Sequence, residues 1–288
     1  MKDSPAMSQE AQTHTSFCYH PGSVAEGASG YLVDQSKHPD ALRLLFEHDP
    51  TPVYDLPYIH SEYRELASDG PLVIQPVSAR SKEWLHKWLA EGKALVLYGQ
   101  ELTLEATCDH FACLNTVFSP GGESLFRYAD PATLASLATS LSPHQRLRIL
   151  GPLTAIHGCH AGANWSLTKA QPKALPDELW ERNPAPLELT QENLASAEAY
   201  RRGLLANALA ENNGLQKQTV SGWFQQLKTL GATSEQGLVE GAGVLIMRGF
   251  TRTLNDGEIS TLSKTRQGAC WSDVLEALAT LPQSQEGT

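Results

Sequence analysis

No run of apolar residues in this 288-residue chain approaches the ~18 to 20 that a membrane span requires. The opening Met1-Lys2-Asp3-Ser4-Pro5 leads into no apolar stretch of the kind a secretory signal needs. Basic clusters are missing too: no block of five or more Lys or Arg occurs, and 22 Lys+Arg against 32 Asp+Glu leave a formal net charge of -10. Nucleic-acid binding needs cations that neutralise phosphates, so it is disfavoured. Cysteine is scarce: Cys18, Cys108, Cys113, Cys159 and Cys270 are odd in number and scattered, which does not fit the disulfide framework of a small secreted domain. These absences predict a protein that stays in a reducing cytoplasm, with no membrane insertion.

Catalytic signatures are absent as well. There is no Gly-x-Ser-x-Gly elbow, no phosphate-cradling Gly-x-x-x-x-Gly-Lys and no Gly-x-Gly-x-x-Gly. A missing motif does not exclude an enzyme, but it removes the easy routes, and the expectation is no catalytic residue and no cofactor. The nearest approaches to metal-ligand spacing are Cys108-x-His110-x-x-Cys113 and His157-x-Cys159-His160. On a helix advancing about 100° per residue, Cys108 and His110 point about 200° apart and Cys113 lies about 140° from Cys108, so the first set cannot converge on one ion. Cys108 falls on an apolar stripe and reads as a small core residue. The second set reads as ordinary histidines of a glycine-containing loop, and no metal is expected.

What is present divides the chain. Residues 1–29 are rich in Ser, Gln, Thr, Gly and Ala with almost no aliphatic periodicity, so they read as a disordered arm. Over residues 30–167, short apolar runs alternate with helical patterns: Tyr31-Leu32-Val33 ending at Asp34, then Pro71 to Ile74, then Ala94 to Tyr98 read as buried strands. Between them, His38-Pro39-Asp40 starts a helix, Val53-Tyr54 is a weak strand, and Ser61 to Ala67 is helix-like. Ser81 is expected to cap a helix whose Trp84, Leu85, Trp88 and Leu89 share one face. Leu104, Cys108, Phe111, Asn115 and Phe118 recur at helical spacing and predict one long helix. Ser142-Pro143 opens another that ends at Gly151-Pro152, and Leu153 to His157 is placed as an edge strand. Residues 168–189 hold Pro172, Pro176, Pro184 and Pro186, a density that reads as a linker.

Residues 190–288 change period. Thr190 can cap a helix bearing Leu194, Ala197, Arg201, Leu204, Leu205, Ala208 and Leu209. A second places Val220, Trp223, Phe224, Leu227 and Leu230 on one stripe, and a third, from about Glu235 to Arg248, carries the small residues Gly237, Gly241, Ala242 and Gly243. Asn255 and Ser272 start two more. The predicted fold is therefore an α/β N-terminal lobe, a mixed sheet covered by helices, followed by an all-helical C-terminal lobe. Trp84, Trp88, Trp223 and Phe224 have two readings: lobe core, or hot spots of a partner-binding face.

The stretch Ser124-Leu125-Phe126-Arg127-Tyr128-Ala129-Asp130-Pro131 organises the middle of the chain. Leu125 to Tyr128 reads as a short buried strand; Asp130 as N-cap and Pro131 as first helical residue then start a helix that runs to about Leu141. A guanidinium at Arg127, flanked by apolar residues, needs carboxylate or carbonyl partners, and Asp130 and Asp34 are candidates. An internal ion pair and helix cap is one reading of Asp34, Arg127, Tyr128, Asp130 and Pro131; a polar site for acid/base work is the other.

Together with Gly121-Gly122-Glu123, the opening strand Gly30 to Asp34, Gly70 to Ile74, Ala94 to Tyr98 and Gly151-Pro152, this Arg-x-x-Asp-Pro stretch resembles the type VI secretion adaptor or effector-chaperone family (Tap/Tec type), long catalogued only as a domain of unknown function. The resemblance covers about residues 29 to 165. It implies a cytosolic protein, not an enzyme, that binds a toxic type VI secretion effector, stabilises it by covering its surface, and loads it onto the VgrG spike or a PAAR-type tip. The competing expectations are an enzyme built around Asp34, Arg127 and Asp130, and an immunity protein that blocks a cognate toxin.

Overall fold

The computed structural model describes residues 27–100, 102–169, 186–266 and 270–282. The expected arm over 1–29 lies almost wholly outside these residues, as does most of the linker over 168–189. In chain order the first elements are β1 (Gly30–Asp34), α1 (Ala41–His48), β2 (Val53–Asp55), 3₁₀ turns at Pro57–His60 and Arg64–Asp69, β3 (Pro71–Gln75), α2 (Ala79–Ala90), β4 (Ala94–Tyr98) and α3 (Leu104–Ala112). Next come β5 (Thr116–Ser119), β6 (Gly122–Leu125), α4 (Pro131–Leu137), α5 (Pro143–Leu150), β7 (Ala155–His160) and β8 (Ala163–Thr168). The last are β9 (Leu187–Glu188), α6 (Gln191–Asn212), α7 (Lys217–Thr229), α8 (Glu235–Met247), α9 (Asp256–Arg266) and α10 (Trp271–Thr280).

By its contacts the described chain forms two compact units, 27–112 with 152–169 and 113–151 with 186–282. The sequence reading draws one linear division at 168–189. The fold instead groups residues 113–151 with the later helices, because β5 pairs with β9 and α4 packs on α6.

In the first unit a six-stranded sheet runs in the order β2-β3-β1-β4-β7-β8, and every pairing is antiparallel. All five residues of β1 are buried, which is why its sequence shows a continuous apolar run rather than alternation. Tyr31 and Val33 pack with Leu45 of α1 and with Trp84, Leu85, Trp88 and Leu89 of α2. The cap of α2 is Ser78, three residues before the predicted one: Ser81 N–H donates to Ser78 Oγ at 3.0 Å and Ser78 N–H to Ser81 Oγ at 3.2 Å, so Ser81 is the third helical residue of a capping box. The helix ends at Ala90 with Glu91 as its C-cap, and the chain turns away at Gly92, where φ is +70° and an added Cβ would stand 2.8 Å from the carbonyl oxygen of Cys159 in β7. Ser61 to Ala67 is not an α-helix but lies between and within the 3₁₀ turns. The strand near residue 155 is interior rather than an edge, because β8, unforeseen in the sequence, pairs along its whole length.

In the second unit the mixed pairing appears. A three-stranded sheet, β6-β5-β9, joins β5 antiparallel to β6 and parallel to β9. After Thr190, which caps α6 as predicted, the described chain is helical. Val220, Trp223, Phe224, Leu227 and Leu230 are all buried, with Trp223 and Leu227 at 0% exposure, and they centre a core that includes Leu238, Ala242, Leu245, Val274 and Leu278. The predicted face of α6 is displaced: its buried residues are Asn193, Ala206 and Ala210, while Leu205 and Leu209 are only partly buried against that core. Helix α10 is capped by Cys270 with Asp273, not begun at Ser272.

A buried polar network knits the turn after α4 to α5, β9 and α6. The Gln145 amide donates to Asn193 Oδ1 at 2.8 Å and to the Glu188 carbonyl at 2.7 Å, and the Asn193 amide donates to the Ser140 carbonyl at 2.8 Å. Each partner is satisfied, which makes the network stabilising rather than a liability in the low-dielectric interior.

Candidate functional site

The organising stretch folds as a hairpin followed by a pinned turn and a capped helix. Residues Pro120 and Gly121 form the tip between β5 and β6. The helical spacing read through Asn115 and Phe118 breaks at Ala112, where α3 ends; Phe118 belongs to β5 and is 39% exposed. The predicted buried strand over Leu125–Tyr128 is corrected likewise. All of β6 is exposed, Leu125 is 41% exposed, and the chain leaves the ladder at Phe126. From there the turn alternates: Phe126 and Tyr128 point inward and are buried, while Arg127 between them is exposed.

The turn is held by specific bonds. Phe126 N–H donates to the Asn115 carbonyl at 2.7 Å, Tyr128 Oη donates to Asn115 Oδ1 at 3.1 Å, and Asp130 N–H donates to the Arg127 carbonyl at 3.1 Å. Asp130 caps α4 as the sequence implies, accepting from Ala132 N–H at 3.0 Å and from Thr133 Oγ1 at 3.2 Å, with Pro131 as the first helical residue. Asp34 belongs to the first unit, at the end of β1, where its Oδ1 accepts from Ser36 N–H at 3.1 Å and Ser36 Oγ at 2.7 Å. Both carboxylates are thus engaged in local turn and cap chemistry.

The aromatic candidates are core residues. Trp84 and Trp88 are 7% and 8% exposed, their rings 4.8 Å apart, and His48 stacks on Trp84 at 5.3 Å. Trp223 donates its indole N–H to the Arg252 carbonyl at 2.7 Å, and Phe224 is 3% exposed. Side chains of this size each bury about 150–250 Å², and here that area stabilises the units rather than meeting a partner.

Among the described residues no three His, Cys, Asp or Glu side chains converge to hold a metal ion. His157 and His160 occupy positions of opposite parity on β7, so they face opposite sides of the sheet. The second histidine set is therefore strand, not loop. Asp55 forms a grouping that sequence spacing did not suggest: its Oδ2 lies 2.8 Å from His60 Nε2, and its charge bears on the Cys108 thiol. Burial first, and the Asp55 carboxylate second, push that thiol well up. A nucleophilic cysteine requires the opposite shift, so Cys108 is a core residue in an inert setting.

The signature hairpin turns two apolar side chains outward. Phe118 and Leu125 stand on one face of a short sheet whose other face is anchored by buried Val117 and Leu187. Exposed apolar side chains on a pinned element suit docking, because little ordering is left to be done on binding. The sequence carried a signal for this hairpin in the Pro120-Gly121 dipeptide; the coincidence of Asn115 and Phe118 with the α3 stripe masked it.

No helix among the described residues is long and apolar enough to cross a membrane. A family model described as a domain of unknown function, DUF4123, matches residues 31–148, from β1 into α5. No curated protein and no solved structure matches the chain.

Proposed function

We propose that the protein is a cytosolic adaptor that binds a type VI secretion effector and delivers it to the VgrG spike or a PAAR-type tip. The observation that carries the reading is the block of motifs over residues 29 to 165 that resembles effector chaperones, overlapping the family match over 31–148. The mechanism is surface burial: the adaptor covers effector segments that are apolar or unstable alone, and yields them when assembly offers a tighter partner. Phe118 and Leu125, held outward on a pinned hairpin, suit that role. The test is co-purification of the tagged full chain with the products of the genes beside its own. Recovery of a toxin together with a spike or tip protein is expected; recovery of neither overturns the reading.

A further inference from the structure

The exposed face of the small sheet has a specific charge pattern. In the register of β5 and β6, Phe118 lies directly opposite Glu123; in the register of β5 and β9 it lies directly opposite Glu188. Residues opposite one another share a face, so one row across the sheet reads Glu123, Phe118, Glu188, all exposed. At about 4.8 Å per strand, the two carboxylates flank the phenyl group with backbones about 10 Å apart. Among the described residues neither Glu123 nor Glu188 enters an ion pair. Leu125 continues the same face one row on, opposite Thr116.

Among the described residues the β6 edge of that sheet is open. Ladder pairs alternate between bonded and non-bonded, and the Phe126 N–H to Asn115 carbonyl bond fixes the phase. Gly122 and Ser124 therefore turn their backbone groups toward β5, while Glu123 and Leu125 turn their N–H and C=O groups outward. At the end of the strand order, β6 has no neighbouring strand on that side among the described residues. The edge thus presents unused backbone partners beside an acidic and aromatic face.

We infer that this surface receives an extended segment of a partner protein that adds to β6 as a further strand and carries basic residues around an apolar one. Main-chain bonds to Glu123 and Leu125 set its register, Leu125 with Phe118 behind it covers its apolar side chain, Glu123 faces its cations, and Glu188, farther across the same face, adds to the negative field that attracts them. A second copy of this chain is a poor occupant, since the same face would meet carboxylates with carboxylates and each copy carries a formal net charge of -10. The inference deepens the adaptor reading by naming the chemistry of the cargo segment, and it rests on that reading for the cargo's identity.

The test uses the full chain and two capped octapeptides, Lys-Ser-Val-Ser-Lys-Ser-Val-Ser, which sets Lys and Val alternately along one strand face, and the same peptide with Glu for Lys, with binding followed by fluorescence anisotropy. The Lys-Val peptide is expected to bind. Binding weakens at least tenfold in Glu123→Lys/Glu188→Lys and in Phe118→Ser, and is retained in Glu105→Lys/Glu276→Lys, which changes net charge equally on exposed residues elsewhere. Thermal melting should be unchanged in all three, because the altered side chains are exposed. Equal loss in the control pair, no loss in the hairpin variants, or no binding by the unaltered chain overturns the inference. Co-purification separates the two failures. A chain that retains its toxin but shows no selective peptide loss sinks the surface and leaves the adaptor reading standing; selective peptide loss with no toxin retained does the reverse.

Discussion

The Tyr128 hydroxyl donates to Asn115 Oδ1 at 3.1 Å, and both residues are 1% exposed. The bond joins the turn after β6 to the residue before β5, so it closes the base of the hairpin that carries Phe118 and Leu125. Tyr128→Phe keeps the ring and removes this donor from a buried oxygen, which should cost about 1–3 kcal/mol. Urea denaturation measures it; an unchanged midpoint would show that the hydroxyl does not hold the hairpin.

A glycine in α8 sets how closely helices approach. A Cβ at Gly241 would meet Leu227 Cδ2 at 2.8 Å and Cδ1 at 2.9 Å, and Leu227 is fully buried. Gly241→Ala should therefore destabilise by about 1–3 kcal/mol through overpacking. Two residues on, Gly243 has nothing within 4 Å of an added Cβ. Gly243→Ala should stabilise by about 0.4–1 kcal/mol, as expected of a helical glycine with room for a methyl group. Thermal melts of the pair check both signs, and the same sign for both would contradict the packing.

Burial lowers the pKa of His157, and burial together with Lys82 lowers that of His86. A histidine whose folded pKa lies below its unfolded value binds fewer protons in the native state, so its contribution is fully present above the unfolded value of about 6.5 and is lost as pH falls through the folded one. Stability should thus hold steady from pH 8 to 7 and decline below about 6.5. His157→Gln removes one titrating group and should flatten the decline. An unaltered slope, measured by denaturant titration at several pH values, would assign it to other groups.

Local chemistry was legible in the sequence where one or two residues decide a structure. Thr190, Ser142 and Asp130 cap helices as read, because each side chain bonds an N–H only two or three residues on. The strands β1, β3 and β4 were plain as short apolar runs buried inside the sheet. Elements stabilised by distant partners were not: β8 is largely exposed and β9 is only two residues long, so neither shows a pattern without the strand it pairs with. Phe118 was the costly misreading, since helical spacing continued by chance past the end of α3. Arg127 was misplaced for a related reason, because a turn that alternates in and out resembles a buried strand when only its apolar members are counted. The aromatic candidates became core because periodicity shows that a face is covered without showing by what.

The central claim is that this molecule acts by covering another protein. Its most direct test mixes the purified chain with the purified effector that the adaptor reading predicts to be encoded beside it, and follows size-exclusion chromatography with light scattering and intact-mass spectrometry. One peak is expected, with a mass equal to a whole-number combination of the two chains and each covalent mass unaltered. Two separate peaks, or a toxin whose covalent mass changes under trace amounts of the chain, would contradict it.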